Sequence, residues 1–136
     1  MSARTVFLAR LIGLYCLIIA VAMLSQPEAF ATLVHASVAD APLALIAGVF
    51  TLFGGLALVL PHNYWSGSAL TVIITLAGWL TLIKAAVFVL LPSAKLVALY
   101  SGVSPTHILI SGSLTLLLGL YLTVSGFRAP LEKSKP

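Results

Sequence analysis

Negative charge is nearly absent from this chain. Its 136 residues include three Asp and Glu in total, Glu28, Asp40 and Glu132, against seven Lys and Arg. None lies in a long apolar run, so there is no carboxylate pair for acid–base hydrolysis. Nor is there a membrane carboxylate of the kind that loads and releases a proton in an antiporter. Cysteine is reduced to Cys16, which excludes an internal disulfide; in an apolar run its reactive thiolate is disfavoured as well. The sequence has no phosphate loop, no Ser/His/Asp set and no haem-attachment signature. It reads as a protein without catalytic machinery or cofactor. Charged residues amount to 7%, against about 25% in soluble domains. Hydrophobic residues take their place at 61%, giving a mean hydropathy of +1.18.

That composition belongs to an integral membrane protein. Crossing roughly 30 Å of hydrocarbon takes about 20 apolar residues in a helix, and four segments qualify: residues 6–24, 42–60, 69–91 and 106–127. The expected fold is all-α, an integral membrane four-helix bundle forming a single domain over residues 1–136. The first segment also has signal-peptide features, with Arg4 and Arg10 before the apolar run and Ala29-Phe30-Ala31 after it. Its alignment with the third segment, described below, favours its retention as a span.

Lys and Arg collect at the two ends. Arg4 and Arg10 begin the first span, and Arg128, Lys133 and Lys135 follow the fourth in a basic tail at residues 128–136. The segments on the opposite side, residues 25–41 and 92–105, contain only Lys95. Cytoplasmic flanks carry the excess of Lys and Arg, so both termini are expected in the cytoplasm. The net charge of +4 is then accounted for by topology and anionic headgroups, and implies no nucleic-acid partner.

The chain also reads as written twice. Residues 45–58 realign on residues 109–122, Gly48, Thr51 and Gly55 falling on Gly112, Thr115 and Gly119. Upstream, Leu11, Gly13, Leu17, Ile18, Ala20 and Pro27 fall on Leu76, Gly78, Leu82, Ile83, Ala85 and Pro92. The repeats are about residues 6–60 and 69–127. Each encodes a helical hairpin with an even number of spans, so both enter from one side, as parallel repeats do. Residues 28–36 and 93–100 are too short and mixed to span and are expected as helices at the outer interface. Ser104-Pro105 has the form of a helix start, and residues 61–68 that of a turn.

Gly48, Thr51 and Gly55, like Gly112, Thr115 and Gly119, are spaced three and four apart and share one helix face. Small faces allow close backbone approach where lipid supplies little drive between helices. They are expected to pack the second span against the fourth, or to meet a second copy or another membrane protein.

Lys84 is the candidate functional residue. It stands eight positions before Pro92, about 12 Å below the helix end at 1.5 Å per residue. No span holds an acidic residue to neutralise it, and charges at that depth mark functional sites by default. Either its stem runs outward to water, or its ammonium meets an anionic substrate, a lipid headgroup or an acidic partner. Trp79 and His107 are candidate companions, in a ligand cavity or a polar cluster with His35, Asp40 and Lys95. No ligand spacing predicts a metal.

The stretch from Thr75 to Lys84, TLAGWLTLIK, followed by Pro92, resembles a group of small, uncharacterised four-helix bacterial inner-membrane proteins. The resemblance implies an inner-membrane location and no activity. Two functions follow from the residues: an accessory subunit, assembly factor or scaffold working through its small-residue faces, or a small homodimeric transporter or channel binding an anion or lipid headgroup at Lys84.

Overall fold

The computed structural model describes residues 3–129, and Lys133 and Lys135 of the basic tail lie outside them. Those residues form six helices and no strand: α1 (Ala3–Ser25), α2 (Pro27–Ala39), α3 (Ala41–Val59), α4 (Ala69–Leu90), α5 (Ser93–Tyr100) and α6 (Pro105–Arg128). Four of them, α1, α3, α4 and α6, are long and apolar enough to cross a membrane. Their outward faces are apolar too: Phe50 and Phe53 are each 75% exposed and Ile18 70%. A helix apolar all round calls for hydrocarbon rather than water, which marks a membrane protein.

The helix ends follow from local chemistry. Asp40 Oδ1 accepts from the Leu43 amide at 2.9 Å, with Pro42 in the first turn of α3. Ser68 Oγ accepts from the Thr71 amide at 3.3 Å to open α4. These caps satisfy amides that the helix itself leaves unpaired. Pro92 has no amide proton and disfavours helical geometry in the residue before it, so α4 stops at Leu90 and α5 begins at Ser93. In the turn between α3 and α4, Gly67 takes φ +114°. Thr75 fastens that turn, its hydroxyl accepting from the Tyr64 amide at 3.2 Å and lying 2.9 Å from the Tyr64 carbonyl oxygen.

The small faces pack against helices other than those the spacing suggested. The expectation was α3 against α6. Instead α3 lies along α4, and α6 lies along α1. A Cβ built on Gly55 would sit 2.9 Å from Leu82 Cα, and one on Gly48 would be 3.0 Å from Phe88 Cβ. On α6, Gly119 faces Leu17 and Cys16 of α1, and Gly112 faces Met23 and Leu24. Thr51 and Thr115 are half-buried, each hydroxyl donating at 2.7 Å to the carbonyl four residues back, Ala47 and Ser111. Spacing shows that a face is small and says nothing of which helix fills it.

Two apolar clusters form, one at each end. Leu8, Ala9, Leu70, Ile74 and Leu122, with Leu58 against them, draw α1, α3, α4 and α6 together where the chain enters α1. At the other end Val38, Ala44 and Leu96 pack with Val87, Phe88, Leu91 and Tyr100, joining α2, α3, α4 and α5. Arg10 ties the first end further: Nε donates to the Gly126 carbonyl at 2.9 Å, and the guanidinium carbon lies 4.7 Å from the Phe127 ring centroid.

Candidate ligand cavity at Lys84

Four helices place their side chains around one space. Lys84 and Phe88 are four apart on α4, Ala47 and Thr51 four apart on α3, and Val34 and Ser37 three apart on α2, so each pair shares a face. With Tyr100 from the end of α5 they line an open cavity of about 200 Å³. The close approach at Gly48 and Gly55 brings α3 near enough to α4 for Thr51 and Lys84 to line the same space. Lys84, itself exposed, borders this space together with residues of α2 and α5.

The polar groups of the cavity divide into donors and acceptors. Ser37 Oγ donates to the Val34 carbonyl at 2.9 Å, and Thr51 Oγ1 to the Ala47 carbonyl at 2.7 Å. Each hydroxyl has spent its proton within its own helix and has only lone pairs to offer. The Tyr100 hydroxyl and the Lys84 ammonium have no hydrogen-bond partner among the described residues. Burial pushes the Tyr100 phenol above its ordinary pKa of 10.0, which keeps it a donor. Its ring meets Phe88 edge-on at 5.5 Å. The result is an ammonium and a phenol as donors, two hydroxyl oxygens as acceptors, and walls of Val34, Ala47 and Phe88.

Among the described residues no carboxylate answers Lys84. The described acidic residues are Glu28, exposed in the first turn of α2, and Asp40, committed to the Leu43 amide. Neither forms an ion pair with Lys84.

The other sequence candidates lie elsewhere. Trp79 turns toward the α3–α4 turn, donating from Nε1 to Asn63 Oδ1 at 3.2 Å with its ring 6.5 Å from that of Trp65. His107 caps α6: its Nδ1 accepts from the Ser104 amide at 3.3 Å, with Ser104 Oγ 2.8 Å away. His35 donates from Nε2 to the Val103 carbonyl at 2.8 Å. Neither Trp79 nor His107 lines the cavity with Lys84, which shares it with Ser37, Thr51, Phe88 and Tyr100. Among the described residues no three His, Cys, Asp or Glu side chains are grouped to hold a metal ion.

Sequence reading missed Ser37, Phe88 and Tyr100. The available signal was the i to i+4 spacing of Lys84 and Phe88 together with the aromatic end of α5. It also passed over His62, which is 1% exposed in the α3–α4 turn. Neither of its ring nitrogens has a partner among the described residues, and its ring meets Tyr64 edge-on at 5.3 Å. Comparison with protein-family models, with curated proteins and with solved structures gives no match to this chain.

Proposed function

We propose that this chain is a non-catalytic multi-pass protein of the bacterial inner membrane that holds an anionic group against Lys84. The observation that carries this reading is an ammonium without a counterion among the described residues, at the edge of a cavity of about 200 Å³. Lys84 is exposed on the surface of its span, and a charge at that depth in a membrane is costly unless something answers it. An anion supplies the missing charge, Tyr100 adds a second donor, and Ser37 and Thr51 accept from any hydroxyl or amine carried beside it. The cavity is below the 300–1,000 Å³ or so of pockets that enclose drug-sized molecules. It therefore suits a headgroup or small anion rather than a whole lipid.

In this reading the chain is a four-helix bundle of two duplicated hairpins. The contacts support it: α1 on α6 and α4 on α3 are equivalent pairings once the first repeat is laid on the second. The termini and the α3–α4 turn face the cytoplasm, where Arg4, Arg10 and Arg128 lie. The α2 and α5 helices, with the cavity beneath them, belong at the outer interface.

The competing reading is an accessory subunit, in which a carboxylate on a neighbouring membrane protein neutralises Lys84. Both are tested by recovering the protein from its own membrane in lipid nanodiscs, with Lys84→Met beside the wild type, and identifying what stays bound. An anionic lipid or metabolite lost from Lys84→Met supports ligand binding. A stoichiometric second protein lost from the variant supports the accessory role and overturns ligand binding.

A further inference from the structure

A second open cavity, of about 160 Å³, lies beside the first, with Leu45, Phe88, Val89, Leu91, Ser93 and Leu96 in its lining. Phe88 lines both. Its ring is set edge-on against Tyr100 at 5.5 Å and 68°, and the residue borders both a space that holds a cation and an open one whose side chains, Ser93 apart, are apolar. Gly48 sets Phe88 in place, since a Cβ there would press to 3.0 Å on both Phe88 Cβ and Val89 Cγ2.

Building on the reading of Lys84 as an anion site, we propose that its ligand is an anionic amphiphile of the bilayer held in two parts: headgroup at Lys84 and Tyr100, and the first segment of an aliphatic chain past Phe88 in the second cavity.

Size and chemistry both support the division. The second cavity, of about 160 Å³, is open and has room for a few methylenes against Leu45, Phe88, Val89 and Leu96. It is too small for a whole acyl chain, so the remainder leaves past Leu45, which is 50% exposed on the outward face of α3. A water-soluble anion would satisfy Lys84 and leave the second cavity empty. An amphiphile satisfies both, and each methylene withdrawn from water into such a space adds to its affinity.

The test uses the full-length protein in detergent and native mass spectrometry, with three probes offered at equal concentration: phosphatidylglycerol, phosphatidylcholine with the same chains, and glycerol 3-phosphate. The expected result is one phosphatidylglycerol retained per chain, with phosphatidylcholine weaker and glycerol 3-phosphate not retained. Lys84→Met weakens retention about tenfold or more, the scale of a hydrogen bond to a charged group. Leu45→Trp, which fills the second cavity from its outward side, weakens retention while glycerol 3-phosphate stays unbound. Leu45→Ala, which enlarges the cavity, keeps it. If Leu45→Trp fails to fold, the wild-type preference for phosphatidylglycerol over glycerol 3-phosphate decides alone. Glycerol 3-phosphate bound as well as phosphatidylglycerol, with both lost in Lys84→Met, overturns the two-part site and leaves the anion site standing. Phosphatidylglycerol retained unchanged by Lys84→Met overturns both.

Discussion

Gly13 of α1 lies so close to Thr123 of α6 that a Cβ at Gly13 would stand 2.5 Å from Thr123 Oγ1 and 2.7 Å from its amide nitrogen. Backbone cannot yield as a flexible side chain can, and in a close-packed interior the strain is felt directly. Gly13→Ala is expected to destabilise the α1–α6 pair by about 1–3 kcal/mol, the usual cost of overpacking. Gly54→Ala, at a position with nothing within 4 Å of the added carbon, is expected to be neutral or slightly stabilising. Thermal unfolding of both variants in one detergent checks the pair; an equal loss in the two would contradict the interface.

Lys84→Met is expected to raise the stability of the unliganded protein while abolishing anion retention. Insertion scales assign about 2.5–3.5 kcal/mol to a lysine at the centre of a span. Lys84 is exposed, so only a fraction of that returns. Ligand-free melting curves measure the first effect and native mass spectrometry the second. A destabilised variant would show Lys84 to be a structural contact.

These two residues also show what the sequence made readable. The apolar runs and their proline and serine boundaries determine six helices, because a chain in hydrocarbon must satisfy its backbone within helices. Gly13 and Gly78 align by repeat position, yet which helix each meets depends on tertiary packing; Gly13 meets α6, and Gly78 meets Leu58 and Val59 of α3. Lys84 stood out by charge alone. Its companions did not, because Ser37 and Tyr100 arrive from other helices, α2 and α5, whose placement depends on tertiary packing. Trp79 misled for a local reason: an indole N–H in an apolar setting goes to any acceptor within reach, and Asn63 in the turn is one.

Arg10 holds the chain-entry end of α1 to α6 through the Gly126 carbonyl and the Phe127 ring. Lysine keeps the charge but loses the planar guanidinium that bonds in one direction and stacks in another. Arg10→Lys is expected to destabilise by about 0.5–1.5 kcal/mol and Arg10→Gln by more, since an exposed cation over a ring adds about 0.5–1 kcal/mol. Unfolding midpoints of the two variants should fall in that order; identical midpoints to wild type would count against the contact.

Tyr100 gives a pH dependence. Its folded-state pKa is raised by burial above 10.0, so above that value the unfolded chain ionises first and binds fewer protons than the folded one. The stability it contributes is complete below the unfolded pKa and is lost as pH rises through the folded value. Wild type should therefore lose more stability than Tyr100→Phe between about pH 9 and pH 11. Parallel alkaline melting curves for the two proteins check it, and superimposable losses would oppose it.

The two apolar clusters give the molecule a mechanical asymmetry. All four long helices are clamped together where the chain enters α1, whereas α1 and α6 contribute nothing to the cluster beneath α2 and α5. The arrangement is that of a clothes-peg with its spring at one end. Material entering beside Lys84 or Phe88 would press α2 and α5 away from α3 and α4 at the jaws, against the smaller cluster and the packing of α2 on α6.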